Sequence, residues 1–404
     1  MIKRVKLLTC IIISFISILT LGKIIPVQGK AKVNTDTIDQ PGEDIPALTE
    51  NKGSVNIDSI LSYVERDGSL GYGRNYYYKV YDYDYYGSDD LLWSGETGRY
   101  GDFITEPITN YDNDEYWNDS RLDIYIKWRA DNPGLGQKIT DTNRISYSWE
   151  TEVYYNISDG TAMIDYYVST SDNQLPAMWI YEDMLRAFEF WINNAYFDPG
   201  PVTTIWEDQV EGGTGFYCCS DPRVVIGDDN ADSKDIVIHE IAHNYLYNMY
   251  QEIVGDSCPS PHNMFIESNI YCAWREGWAE FLPLIVNGDQ CFDWGLGPCD
   301  EVHENLETHN MYDPPIYQRG EAVEGRVAGA LYDLEDNTNE NYDATSFPFS
   351  YITSILAEPP VEYHFLDFWF HWFDHGYDHH DELMSSFFLN TIGSTYIYLP
   401  MIVK

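Results

Sequence analysis

DIVIHEIAHNYLYNMY, residues 235 to 250, is the stretch from which the rest of the chain is read. An α-helix turns once per 3.6 residues, so His239 and His243 stand on one face, about 6 Å apart along the axis. Ile238, Ile241, Ala242, Tyr245 and Met249 form a separate apolar stripe, which can face a core while the histidines face a cleft. Two imidazoles so placed can share one divalent ion. Glu240 between them suits a proton acceptor for a water that the ion activates.

A second stretch, CAWREGWAEFLPL at 272 to 284, puts Glu276 and Glu280 one helical turn apart. A catalytic zinc site needs three protein ligands and an open position, and His, His, Glu is a standard set, so this stretch supplies the missing ligand. The two stretches together resemble the gluzincin metallopeptidases, whose second motif reads E-G-x-A-E or N-E-x-x-S-D on a helix after the H-E-x-x-H helix. The resemblance implies that His239, His243 and Glu276 hold zinc, that Glu240 is the general base, and that Glu280 orients a ligand histidine from behind. Leu246 and Met249 stand where a metzincin has Gly and His, which disfavours that class. The 33 positions from His243 to Glu276 leave the place within gluzincins open.

The chain has 404 residues, enough for two or three domains. MIKRVK followed by an apolar run of 16 residues, 7 to 22, reads as a signal peptide over 1–29 and predicts export, to the medium or the cell surface. The run is short for a membrane span. Net charge is -43, and removing Lys3, Arg4, Lys6 and Lys23 with the signal leaves -43 - 4 = -47. Such a surface repels nucleic acid and anionic lipid.

Six cysteines follow the signal: Cys218, Cys219, Cys258, Cys272, Cys291 and Cys299. An even number in an exported chain predicts disulfides, with Cys258–Cys272 and Cys291–Cys299 as local pairings. Their spacing lacks the C-x-x-C of a metal knuckle, so a structural role is expected.

Polar, unpatterned residues 30–52 read as a linker. From 53 to 172, short alternating runs at 57–64, 76–81, 102–104, 122–128, 144–150 and 163–168 predict a β-sandwich. KVYDYDYYGSDDLLWSGETGRYGDF with RLDIYIKW resembles transthyretin-like, Ig-like modules. Asp82, Asp84 and Asp90 have the D-x-D-x5-D spacing of a calcium loop and are candidate Ca2+ ligands.

Helical spacing resumes at 176–195, then strands are predicted at 202–206 and 223–227 ahead of the motif helix. The gluzincin resemblance implies that Val224 to Ile226 form an edge strand that pairs with extended substrate. Residues 321–337 form a further amphipathic helix whose Glu324, Arg326 and Tyr332 can reach the cleft. Tyr332 and His262 are candidate donors to the transition-state oxyanion. Two aromatic helices close the region near 393, and 394–404 is an apolar tail.

The fold class expected is therefore multidomain α+β: an N-terminal β-sandwich, then a mainly helical zincin-like catalytic domain, 173–393, with a small sheet. The expected activity is that of a secreted zinc metallopeptidase, an endopeptidase by default, with a peptide or protein as substrate. A non-peptide zinc hydrolase and a cell-surface binding protein are the competing classes.

Overall fold

Residues Ser54–Val64 (β1) alternate buried and less buried positions, as a strand does when one face meets a core. The computed structural model builds outward from this strand. It describes residues 52–112, 121–206, 216–217, 223–251, 258–259, 261–293, 305–306, 318–337, 346–358, 363–377 and 379–392. The signal peptide, nearly all of the linker, Cys218, Cys219, Cys299 and the tail lie outside the described residues. Residues Asn51–Lys404 cluster as one compact unit.

The first half of β1 pairs with β5 (Asp102–Ile104) and β6 (Ile108–Thr109) antiparallel and with β11 (Gly160–Met163) parallel. Its second half pairs with β2 (Leu70–Tyr72) antiparallel and β12 (Tyr166–Val168) parallel. A second, antiparallel sheet has the order β10 (Ser148–Glu150), β7 (Ile124–Arg129), β3 (Tyr77–Asp82), β4 (Asp90–Glu96). The two sheets meet through aromatic rings. Tyr78 stacks on Phe103 at 3.6 Å between centroids, and Trp128 meets Tyr166 at 5.6 Å. Val55, Ile57, Leu61, Val80, Ile124 and Ile126 fill the core with them.

A third sheet packs against the helix Lys234–Tyr250 that bears His239, Glu240 and His243. Its order is β14 (Phe216–Tyr217), β15 (Val224–Ile226), β13 (Val202–Trp206), β9 (Gln137–Thr140), β8 (Asp131–Asn132), with β15, β13 and β9 parallel. Two findings differ from expectation. Strand β9, from the sandwich stretch, pairs along β13, and β8 pairs with β9, so both extend this sheet. The expected edge strand β15 is not an edge, because β14 pairs Phe216 with Val225 and Tyr217 with Val224. Val224, Val225 and Ile226 are all buried, as suits an inner strand of a parallel sheet.

Seven helices are described: α1 (Leu175–Asn194), α2 (Lys234–Tyr250), α3 (Ile270–Asn287), α4 (Glu324–Glu335), α5 (Phe349–Leu356), α6 (Phe365–Asp374) and α7 (His380–Leu389). The protein is thus mixed α+β. Helix α1 is tied to the end of β1 and the residues after it. Trp179 donates its indole N–H to Val64 O (2.8 Å), and Arg66 reaches Asp183 Oδ2 and Ala231 O at 2.7 Å each. Arg74 pairs with Glu182 at 2.7 Å and Glu189 at 2.5 Å. Among the described residues no helix is long and apolar enough to cross a membrane.

Asp235, in the first turn of α2, is fully buried and accepts from Asn287 Nδ2 (2.5 Å) and from Asp293 N (2.7 Å). Burial nonetheless raises its pKa from 3.8 to about 6. The folded state therefore binds this proton more tightly than the unfolded chain. Its stabilising contribution is complete below about pH 4 and is lost as pH rises through about 6. Asp235→Asn should flatten the slope of unfolding free energy against pH between 4 and 6 in urea titrations; an unchanged slope would exclude Asp235 as its source.

Candidate active site

Two helices and their caps set the site. Ser233 caps α2 by accepting from Ile236 N at 3.1 Å, and Asn269 caps α3 by accepting from Tyr271 N and Cys272 N. Trp278 on α3 donates to Ala242 O on α2 at 3.2 Å, which fixes the two motif helices against each other. Gly277 lets α4 approach closely. A Cβ there would lie 2.7 Å from Val327 Cβ and 2.8 Å from Glu324 O. The G of E-G-W-A-E is thus a packing requirement.

The three expected metal ligands converge. His239 Nε2 and His243 Nε2 are 3.2 Å apart, and Glu276 Oε2 lies 3.4 Å and 3.0 Å from them. A tetrahedral ion with bonds of about 2.0–2.1 Å spaces its ligand atoms by about 3.4 Å, so the trio fits zinc without rearrangement. The donor chemistry fits too, being two imidazoles and one carboxylate. Burial raises the Glu276 pKa, but His243 and His239 outweigh it and hold the carboxyl well below its usual range. Burial disfavours both imidazoliums. His243 falls to about 4, whereas hydrogen bonding to Glu276 and the charge of Glu240 bring His239 up overall.

Arg275 was not anticipated from the sequence. Its Nε and Nη2 hold Glu276 Oε1 at 3.2 and 3.1 Å, which leaves Oε2 to the histidines. Its only sequence signal is adjacency to Glu276. Removing such an outer partner weakens metal binding about 10–100-fold, and Arg275 is one-fifth exposed. We therefore expect the low end, about tenfold, for Arg275→Met, read as the zinc dissociation constant by competition with a chelating dye. An unchanged constant would mean that Glu276 is positioned without it.

Glu240 is 6% exposed, and its Oε2 is buried with no hydrogen-bond partner among the described residues. Burial pushes its pKa to about 7. Glu280, expected to orient a ligand histidine, has its Oε2 buried, and among the described residues neither that atom nor the buried His239 Nδ1 has a hydrogen-bond partner. Burial, then the charges of Glu324 and Glu276, keep the Glu280 carboxyl well above its usual range.

Of the two candidate oxyanion donors, His262 is brought to the site. Its Nδ1 lies 3.1 Å from Glu324 Oε1, and a ring nitrogen lies within 4.8 Å of a Glu276 oxygen. Tyr332 is buried on α4 eight residues beyond Glu324, about 12 Å further along the axis. Arg326 is spent on Gln318 O. Cys258 and Cys272 are disulfide-bonded as expected, and Cys291 is disulfide-bonded too; the expected Cys291–Cys299 pairing falls on Cys299, outside the described residues.

Asp82, Asp84 and Asp90 do not gather. Among the described residues, the groups whose ligand atoms come within 4.8 Å of one another are His239, His243, Glu276 and Cys258, His262, Cys272, Glu276. Asp82 is buried and accepts from Asp123 N at 2.7 Å.

No curated protein matches the chain in sequence. Among solved structures, a 9R-lipoxygenase from Cyanothece PCC8801 is similar over 38% of this chain and 26% of its own, with 13% identity and a TM-score of 0.20. Native yeast LTA4 hydrolase is similar over 84% of this chain and 67% of its own, with 9% identity and a TM-score of 0.29. The chain thus spans about a quarter of the lipoxygenase, and likenesses this loose bear on neither fold nor chemistry. Residues 189–384 match the family described as the Mycolysin C-terminal domain. That span contains His239, Glu240, His243, Glu276 and Glu280 together, and the match fits a metallopeptidase.

Proposed function

We propose that this chain is a secreted zinc-dependent metallopeptidase that hydrolyses peptide bonds. The observation that carries the reading is the convergence of His239 Nε2, His243 Nε2 and Glu276 Oε2 within 3.0–3.4 Å beside the buried Glu240. When bound by this trio, zinc supplies Lewis acidity, making water more acidic and polarising a carbonyl. Glu240 is the proton carrier. Its Oε2 has no hydrogen-bond partner among the described residues, and its pKa of about 7 suits it to accept a proton from the attacking water and return it to the leaving amine near neutral pH. The hydrogen bond that His262 Nδ1 donates to Glu324 raises the His262 pKa and occupies Nδ1, so Nε2 remains as the donor for the developing oxyanion.

The catalytic part runs from residue 173 to 393, with β8 and β9 contributed by the preceding sandwich of 53–172, which resembles a transthyretin-like module. With β14 covering β15, extended substrate pairs elsewhere than along Val224 to Ile226.

The test is a digest of a complex denatured peptide pool, read by mass spectrometry, by the natural chain and by Glu240→Gln at equal zinc content. New peptide ends from the natural chain alone support the reading, and the residues flanking the cuts give its specificity. Silence from both, each with zinc bound, would transfer the proposal to a non-peptide hydrolase or a surface binding protein.

A further inference from the structure

The second ligand-bearing cluster lies against the first. Cys272 and Glu276 are one turn apart on α3, and Cys258 and His262 are four residues apart in the segment before it, giving C-x3-H followed by C-x3-E. The ligand atoms of all four lie within 4.8 Å of one another. Cys258 Sγ is 3.3 Å from Glu276 Oε1, and Cys272 Sγ is 3.4 Å from Glu324 Oε1. In the disulfide neither sulfur is available to a metal. The staple therefore masks two soft donors beside a carboxylate that the histidine pair also uses.

We propose that reduction of Cys258–Cys272 by a thiol reductant opens a second metal site, made by Cys258, Cys272, His262 and Glu276, that competes with His239 and His243 for Glu276. Two reductant thiols give up two electrons and two protons to the S–S bond, yielding two cysteine thiols and one reductant disulfide. Binding of a divalent ion then releases the two cysteine protons and forms two metal–sulfur bonds. The sulfurs must move apart to about 3.8 Å, the edge of a tetrahedron with Zn–S bonds of about 2.3 Å. Arg275 Nη2, 2.8 Å from Cys258 Sγ, offsets part of the added negative charge. His262 keeps Nδ1 on Glu324 and offers its other ring nitrogen, so the oxyanion donor is withdrawn together with Glu276.

Loss of hydrolysis on reduction rests on the peptidase reading, whereas the thiolate site does not. The probe is Co2+, added to the full exported chain before and after anaerobic reduction with a dithiol that is then removed. The reduced chain should show a thiolate-to-cobalt charge-transfer band absent from the oxidised chain. Its hydrolysis in the presence of zinc should fall at least tenfold and return on reoxidation. Absence of the band overturns the site. So does a band that survives in reduced Cys258→Ser/Cys272→Ser, because other cysteines would then be its source. If that variant does not fold, His262→Ala with both cysteines intact replaces it. At least a tenfold weaker affinity of the reduced chain for Co2+ supports the site, and unchanged affinity overturns it. A band with unchanged hydrolysis overturns the competition for Glu276. A chain that hydrolyses nothing when oxidised counts against the peptidase reading and leaves the cobalt result standing.

Discussion

Glu240→Gln should lower peptide hydrolysis by about 10²–10⁴-fold, the range lost with a positioned general base, and leave zinc content unchanged. The two outcomes separate because Glu240 and the ligand trio do different work. The ligand atoms meet through Glu276 Oε2, whose partner oxygen is held by Arg275. Glutamine keeps the size of Glu240 but accepts no proton at its amide nitrogen. A merely structural Glu240 would instead lower thermal stability and zinc content along with activity, so kcat should be read beside metal analysis and a melting curve.

Gly277→Ala should destabilise the fold by about 1–3 kcal/mol, the usual cost of forcing a methyl into a packed interface, and lower hydrolysis at least tenfold. The added carbon would stand 2.8 Å from Glu324 O, a backbone atom that can yield only by moving α4. Glu324 opens α4 and holds His262, so a displacement there reaches the site through the 3.1 Å contact between them. Urea unfolding measures the first effect, and kcat/KM measures the second. A stable variant with reduced kcat/KM would point to positioning, whereas a variant with natural stability and activity would refute tight α3–α4 packing.

The convergence of His239, His243 and Glu276 was legible because it follows from helix geometry: residues four apart share a face, and both motif helices carry apolar residues that show the period. Helix α1 was legible for the same reason. Partnerships between distant segments were not. Strand β9 pairs with β13 some sixty residues later, and nothing in Gln137–Thr140 announces that partner. Strand β14 is two residues in a glycine-rich stretch without alternation, so its cover over β15 left no trace in the pattern. Helix α5 is short and begins after Pro348, and escaped notice. Arg275 shows the limit for side chains. An arginine beside a glutamate on a helix is ordinary, and only the fold turns its guanidinium onto Glu276 Oε1.

The loan of β8 and β9 to the sheet of the helical half bears on how such a chain can be inherited. A recombination joint near residue 172 would separate β13 from the neighbour that supplies its pairing from Gln137 to Thr140. The acquired half would start life with the open edge of a parallel sheet, a template for aggregation. Lineages that exchange the sandwich must bring a matching strand pair with it, or evolve a new edge cover first. The two halves are therefore expected to have diverged together, as one heritable unit rather than as separable beads.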